Sequence, residues 1–428
     1  MELTVISELS AFGARFSQPS GTRQLMDDLG QLHQLADQFS NLGGGNPSRI
    51  PEVHRWFAAK LAALATTGDL DKVWSAYDDP RGNNAFIQVI SRFFAEYFRR
   101  SVTPANVICT PGSQASFFML FNLFGGTTAT GVKRKIFLPQ SPEYIGYSDL
   151  GVESDMLVTQ ASRVTFTAPH RFKYDIDFEA ITLDDRIGAI CISRPTNPTG
   201  NVVSDEDLAR LAALAAAHEI PLIVDCAYGA PFPGIIFTPS ELTWRDGMIL
   251  CFSLSKLGAP GLRTGIVLAQ VEVIDVLASM SATMFLSNNS IGACLTQELF
   301  ESRAVLEFAT KAIRPYYEAR SRQCLAYCDE LFAGLDYFVH ESGGAIFLWV
   351  WFRNLPISAQ MLYARLKQRR VLVIPGHHFA PGQSAPAHVS ECIRISYAQT
   401  DETLRHALAI IAEEVRAAFA GRSPHSGT

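Results

Sequence analysis

The sequence is short of charge. Asp, Glu, Lys and Arg make up 18% of its 428 residues, and no long run of one sign occurs. The one basic cluster, Lys133-Arg134-Lys135, precedes the apolar Ile136-Phe137-Leu138 and reads as an exposed turn before a strand. With a formal net charge of −6, the chain lacks the basic footprint of a nucleic-acid binder. It also lacks an apolar run of spanning length. The most apolar stretches, 115–124, 220–224 and 343–351, fall short of the ~20 residues a transmembrane helix needs. A mean hydropathy of +0.11 therefore points to buried strands and helices in a large core, with some apolar surface held for a subunit contact. No basic segment followed by an apolar run opens the chain, so no secretory signal is expected. The eight cysteines form no Cys-x-x-Cys pair and no zinc spacing. Cys109, Cys191 and Cys251 sit in apolar runs, and Cys324 and Cys328, at i and i+4, fit packing better than a redox pair. Reduced thiols suit the cytoplasm.

There is no internal repeat and no low-complexity linker. Short β-rich runs at 107–110, 135–138, 189–193, 221–225, 248–252 and 264–269 alternate with helical stretches. One of these, 204–218, opens with Ser204-Asp205-Glu206-Asp207, a first turn that suits the helix dipole. Alternation of this kind builds a mostly parallel sheet with helices on both faces. The pattern changes after about residue 300. A helical stretch at 306–331 is followed by strand-like runs at 345–351 and 392–397 and a last helix at 401–419. The expected organisation is an N-terminal arm at 1–59 that completes a smaller domain, a large domain at 60–305, a smaller α+β domain at 306–420, and a disordered tail at 421–428.

The chemistry gathers in loops that follow apolar runs. Phe252-Ser253-Leu254-Ser255-Lys256-Leu257-Gly258 sets a lysine in a Ser/Gly-rich loop beyond an apolar strand. In an open α/β sheet that is the C-terminal edge, where ligands bind. A lysine there can lose part of its hydration and form a Schiff base. Taken alone, it reads more simply as a surface lysine. Its company changes that. Asp225 ends the run Pro221-Leu222-Ile223-Val224-Asp225, with Tyr228 three residues on. Arg263 stands in Gly261-Leu262-Arg263-Thr264-Gly265. Pro195-Thr196-Asn197-Pro198-Thr199-Gly200 and Thr110-Pro111-Gly112-Ser113-Gln114 follow two further apolar runs. A strand-end aspartate is often a cap, and Asn-Pro-Thr-Gly is good turn chemistry. Five polar loops after five apolar runs, in this order, are poorly explained by turns alone.

The set Asn-Pro-x-Gly, Asp-x-x-Tyr and Ser-x-Ser-Lys followed by Gly-x-Arg resembles the fold-type I aminotransferases of the aspartate aminotransferase superfamily, over roughly residues 43–397. The resemblance implies an α/β fold with a mostly parallel central sheet, helices on both faces and a smaller α+β domain. It also implies pyridoxal 5′-phosphate as cofactor and a homodimer as the active unit. Lys256 would form an imine with the cofactor and then move the proton at the substrate Cα. Asp225 would keep the pyridine nitrogen protonated, making the ring a better electron sink, while Tyr228 and Asn197 bond its 3′-oxygen. Gly112, Ser113 and Gln114 at a helix N-terminus, with Ser253 and Arg263, would hold the phosphate. Tyr144 matches the aromatic that stacks on the ring, a core tyrosine being the plainer reading. Tyr77 matches a tyrosine sent into the neighbouring subunit's phosphate site. Arg394, in Cys392-Ile393-Arg394-Ile395-Ser396, would grip the substrate α-carboxylate; spacing alone equally allows a surface arginine on a half-exposed strand. Gly45, in Gly43-Gly44-Gly45-Asn46-Pro47, would lie over the substrate beside Asn197.

Relatives that take dicarboxylic substrates add a second arginine from a loop beyond the lysine. The matching stretch here, 281–290, has no charged residue, which argues for a neutral side chain. Distinctive stretches such as Phe121-Asn122-Leu123-Phe124, Pro142-Glu143-Tyr144-Ile145-Gly146-Tyr147 and Gly344-Ala345-Ile346-Phe347-Leu348-Trp349 resemble the bacterial valine–pyruvate aminotransferases. That resemblance implies transfer between L-valine and pyruvate, with other small amino acids and 2-oxo acids as further partners. A methylene in an apolar pocket discriminates by only ~1–3 kcal/mol. Phe347 and Tyr144 are candidates for the side-chain pocket. Two alternatives remain: an aminotransferase for another neutral amino acid, or a lyase on the same fold. A ligand sensor fused to a DNA-binding domain would need more chain ahead of Gly43.

Overall fold

The computed structural model describes residues 8–17, 23, 27, 39–382 and 385–421. The tail expected from residue 421 lies outside them except for Gly421, as does much of the N-terminal arm.

An eight-stranded sheet forms the centre. Its order is Val107–Thr110, Gly265–Leu268, Met248–Ser253, Leu222–Asp225, Ile187–Ser193, Lys133–Leu138, Gly126–Thr127, with Leu157–Thr159 also on Lys133–Leu138. The run from Met248–Ser253 to Leu157–Thr159 is parallel, whereas Gly265–Leu268 is antiparallel to both neighbours. Val107–Thr110, Ile187–Ser193, Leu222–Asp225 and Met248–Ser253 are buried along their whole length, which explains why they read as continuous apolar runs without alternation. Aromatic packing seals both faces. On one, Phe94 lies 4.9 Å from Phe252, and Phe232 lies 4.8 Å from Phe300. On the other, Phe117 and Phe121 of the helix Ser113–Phe124 pack on Tyr147. Each buried Phe contributes roughly 1.5–3 kcal/mol.

Register matters for function. Ser193 pairs with Asp225, Asp225 with Cys251, Ser253 with Gly265, and Gly265 with Thr110. The ends of four strands therefore stand in one row along one edge, and their loops leave from the same side.

A second sheet of six strands runs Ile374–Pro375, Cys392–Ser396, Phe347–Phe352, Tyr337–His340, Arg171–Asp175, Arg163–Ala168. The hairpin 163–175 thus joins this sheet from within the 60–305 stretch. Arg163–Ala168 is mostly exposed, so no apolar run announces it. The segment from Ser40 enters beside this sheet. Ser40–Asn41 pairs with Val371–Leu372, and the Ser396 N–H donates to the Leu42 carbonyl at 2.7 Å. That leads Gly43–Gly45 past Arg394.

Two local expectations need correcting. Lys133-Arg134-Lys135 is not a turn but the start of the strand Lys133–Leu138. Lys133 and Arg134 pair with Thr127 and Gly126, and the Lys135 ammonium is held by Asp155 at 2.6 Å. The reversal sits just before, where the Gly131 N–H donates to the Thr128 carbonyl. The stretch 306–331 is also not one uniform helix. Ala304–Glu307 passes through a π-helical turn, Phe308–Ile313, into Arg314–Leu331. Pro315, which has no N–H to give, follows that turn one residue later, after Arg314. No helix among the described residues is long and apolar enough to cross a membrane.

Candidate active site

A cavity of about 210 Å³ opens at the strand-end row. Its lining includes Gly45, Ser113, Gln114, Tyr144, Asn197, Asp225, Tyr228, Ser253, Lys256, Arg263 and Arg394. Eleven of the fourteen residues singled out from the sequence thus meet in one place, drawn from the N-terminal segment, the central sheet and the second sheet; Gly112, Tyr77 and Phe347 do not line the cavity.

Lys256 lies on a short 3-10 turn, Leu254–Leu257, that Gly258 ends in the left-handed region. Its Nζ donates to the Gly45 carbonyl at 2.6 Å and sits 5.2 Å from the Tyr228 ring centre. Burial, with Arg394 and Arg263 nearby, lowers its pKa to about 8 against a weaker opposing pull from Asp225. Asp225 is buried at its strand end. Its Oδ1 accepts from the Ala227 N–H at 2.9 Å and its Oδ2 from the Tyr147 hydroxyl at 2.8 Å. Burial nonetheless raises its pKa to about 6. Burial likewise raises the pKa of the Tyr144 hydroxyl and raises that of Tyr228 strongly.

At the opposite wall the helix Ser113–Phe124 begins behind Gly112, whose φ is +95°. A Cβ at Gly112 would stand 2.2 Å from Arg263 Nη2, so the bare backbone is what admits the guanidinium. Arg263 itself makes only long contacts, 3.4 Å to Ser255 Oγ and 3.5 Å to the Pro111 carbonyl. The Gln114 side chain is tied to the Gly146 carbonyl at 2.9 Å, which leaves its backbone as the group it offers at the helix start.

Arg394 is 2% exposed, which overturns the surface-arginine alternative. Its Nη1 donates to Asn197 Oδ1 at 2.8 Å and its Nη2 to the Gly43 carbonyl at 2.5 Å, while Nε has no partner. The guanidinium lies 4.0 Å from the Phe347 ring centre. Phe347 therefore supports Arg394 and does not line the cavity. Burial lowers the Arg394 pKa to about 10.

Two further expectations fall outside the cavity. Tyr77 is 83% exposed. The stretch 281–290 is not a single loop, since Ser281 to Phe285 finish the helix Val271–Phe285. Asn288 then donates to the Pro80 and Cys109 carbonyls, and Ser290 to Asp78. That binds the stretch to the segment next to Tyr77.

Four residues escaped the sequence reading. Ser255 lines the cavity one position before the lysine. Ser193 ends its strand in register with Asp225. Tyr147 reaches Asp225, and the buried Glu143 carboxyl bonds Ser193. Ser193 carried a readable signal, being a polar strand end of the same kind as Asp225. Tyr147 and Glu143 carried none, because their contacts join residues far apart in sequence.

Comparison with known proteins agrees with this geometry. The family model for aminotransferase class I and II matches residues 44–411. The valine–pyruvate aminotransferase of Escherichia coli K12 is 39% identical over 412 residues, covering 96% of this chain and 99% of that protein. The crystal structure of a putative amino-acid aminotransferase from Psychrobacter arcticum superposes with a TM-score of 0.93 at 39% identity, covering 97% of this chain and all of that one. The valine–pyruvate aminotransferase of Salmonella typhimurium gives a TM-score of 0.85 at 38% identity over 93% of this chain and 99% of its own. The chain is an enzyme of the class I and II aminotransferase family.

Proposed function

We propose that the cavity binds pyridoxal 5′-phosphate and that the enzyme exchanges an amino group between L-valine and pyruvate, giving 3-methyl-2-oxobutanoate and L-alanine. The observation that carries this reading is the charge inventory of the cavity. Its charged lining residues are Lys256, Arg263, Arg394 and Asp225, and among the described residues no ion pair joins either arginine or the lysine to a carboxylate. Arg394 is buried and Lys256 half-buried, and a cation so placed without an anion is costly unless a ligand supplies one, whereas Arg263 is exposed.

The residues fit the cofactor. Arg263, the Ser253 and Ser255 hydroxyls and the helix start at Gly112, Ser113 and Gln114 suit a phosphate dianion. Asp225 suits a pyridinium nitrogen, and that cation would keep the carboxylate ionised. Tyr228 and Asn197 suit the ring oxygen, and Tyr144 suits the ring face. Lys256 would hold the cofactor covalently, its lowered pKa giving a larger share of neutral amine. When bound, the cofactor supplies an aldehyde that accepts the amino group and a cationic ring that draws electrons from the reacting carbon.

The chain's own groups do the rest. Arg394 takes the substrate α-carboxylate, aimed by Asn197 and steadied by Phe347. Lys256 Nζ would be the base that removes the Cα proton. Gly45, whose carbonyl touches Nζ, closes the site over the substrate. With Lys256 and Arg263 assigned to the cofactor and Arg394 to the α-carboxylate, no lining cation is left for a side-chain carboxylate. This supports a neutral substrate, as does the substrate named for the Escherichia coli relative. Tyr77 and Leu286, 83% and 66% exposed, sit on the two adjoining segments and support a homodimer in which Tyr77 serves the partner's phosphate site. All eight cysteines are free, which suits a cytoplasmic setting.

The test adds single amino acids to the cofactor-loaded enzyme. Valine and alanine should discharge the visible band and pyruvate should restore it. Faster discharge by aspartate or glutamate would refute the neutral-substrate reading. Release of ammonia without that cycle would mark a lyase.

A further inference from the structure

Behind Asp225 lies a line of polar groups that the proposed reaction does not use. The Tyr147 hydroxyl stands 2.8 Å from Asp225 Oδ2 and 3.2 Å from Ser193 Oγ. Ser193 Oγ in turn contacts Glu143 Oε1. Two buried carboxyls are thus bridged by two hydroxyls, and Glu143 is fully buried. We propose that Glu143 is a positioning residue that works as a neutral acid. It donates to Ser193, which donates to Tyr147, which donates to Asp225, so that all the negative charge of the cluster rests on Asp225.

Counting hydrogens shows that the two carboxyls share one proton, and their surroundings decide which of them holds it. Each hydroxyl has one hydrogen to give. If Glu143 is ionised, Ser193 must donate to it and Tyr147 to Asp225. The Tyr147 and Ser193 oxygens then face each other at 3.2 Å with no hydrogen between them. If Glu143 carries a proton, every contact in the line holds one hydrogen and all point the same way; a proton on Asp225 would reverse the line, but Asp225 has the charge of Lys256 to favour its anion and Glu143 has no cation beside it. Hydrogen bonds aligned in this fashion strengthen one another.

The surroundings favour the same state. The other contacts to the Glu143 carboxyl are Gln140 Nε2 at 3.2 Å and the backbone N–H groups of Tyr144 at 3.0 Å and Ser193 at 3.4 Å. None of these is a cation. The titratable groups facing it are Tyr147, the Cys191 thiol and, beyond them, Asp225, and each of these adds negative charge or none. Burial outweighs the neutral donors and pushes the carboxyl up to about 7. A second carboxylate here would compete with Asp225 for the hydroxyl hydrogens and repel its charge.

The consequence is directional. Asp225, buried and drawn toward its protonated form, needs help to stay an anion. The chain headed by Glu143 supplies it through Tyr147, which does not line the cavity, by way of Ser193, which does. The effect on the cofactor rests on the reading that Asp225 faces a pyridinium nitrogen; the protonation state of Glu143 does not.

Infrared difference spectroscopy of the cofactor-free protein, wild type against Glu143→Gln at neutral pH, tests the state directly. A carboxylic-acid C=O band should be present in the wild type, absent from Glu143→Gln and retained in Asp225→Asn. In Ser193→Ala, where the acid loses its acceptor, the band should shift. No band lost in Glu143→Gln, or no shift in Ser193→Ala, overturns the proposal. Cofactor titration then reads the consequence. Glu143→Ala should bind pyridoxal phosphate roughly tenfold more weakly, as expected for weakening a bond to a charged group. Glu143→Gln, whose amide can still donate to Ser193, should restore most of the affinity. Weak binding by Glu143→Gln equal to that of Glu143→Ala would mean that the charge is what matters, against the proposal. Failure of the wild type to take up the cofactor would instead refute the cofactor reading and leave the infrared result standing.

Discussion

Arg394 is a cation buried without an anion, held by one amide oxygen and one carbonyl, with its Nε unpaired. Such a group is a strong pointer to an anionic ligand, and its bed on Phe347 needs a flat guanidinium. Arg394→Lys loses the planar fork and leaves Asn197 and Gly43 short of a donor. Its kcat/KM for valine and alanine alike should fall tenfold to a hundredfold, about the value of one charge-assisted hydrogen bond, with cofactor binding little changed. Lys256 carries a pH signature. Its pKa is lowered from the ordinary 10.5 to about 8, so the neutral, nucleophilic amine predominates above that point. The rate of covalent cofactor uptake should rise with pH and reach half its plateau near 8. By the same linkage, the unfolded chain holds more protons on this lysine between the two values, so the lysine's contribution to apoprotein stability increases with pH across that window. A half-point near 10.5 in stopped-flow traces would contradict the buried setting.

The elements were legible where the sequence repeats one simple rule. Fully buried strands show as apolar runs, and the run 107–110 matches Val107–Thr110 residue for residue. The last helix, Asp401–Phe419, was equally plain, with Thr400 capping it and acids in its first turn. What was not legible depends on pairing across distance. Arg163–Ala168 is an exposed edge strand with no apolar face to give it away. The basic triplet at 133–135 looks like a turn until Gly126–Thr127 is seen beside it. The site divides in the same way. Asp225 ends a strand, Lys256 follows one and Arg263 stands just before one, so all three could be read from position. Glu143, Tyr147 and Ser193 act through contacts between separate loops. At the start of the helix Ser113–Phe124, Gly112→Ala would strain a φ of +95° and set a methyl against Arg263. Melting should show a loss of about 1–3 kcal/mol, and phosphate-containing cofactor should bind more weakly than in the wild type.

For the molecule as a whole, the cavity exists because three parts of the chain converge. The central sheet brings Asp225 and Lys256, the second sheet brings Arg394, and the entering segment from Ser40 lays Gly43 and Gly45 against both. Two hydrogen bonds, Lys256 to Gly45 and Arg394 to Gly43, tie that segment to the two halves of the site. A substrate carboxylate at Arg394 would compete for the second of them, so the entering segment is placed to respond to ligand. The claim on which all of this rests is that Lys256 is the cofactor's anchor. Borohydride reduction of the pyridoxal-phosphate-loaded enzyme, followed by proteolysis and mass spectrometry, tests it most directly. The phosphopyridoxyl mass should appear on the peptide containing Lys256 and vanish in Lys256→Ala. The same mass on another lysine, or a stable reduced adduct in Lys256→Ala, would contradict it.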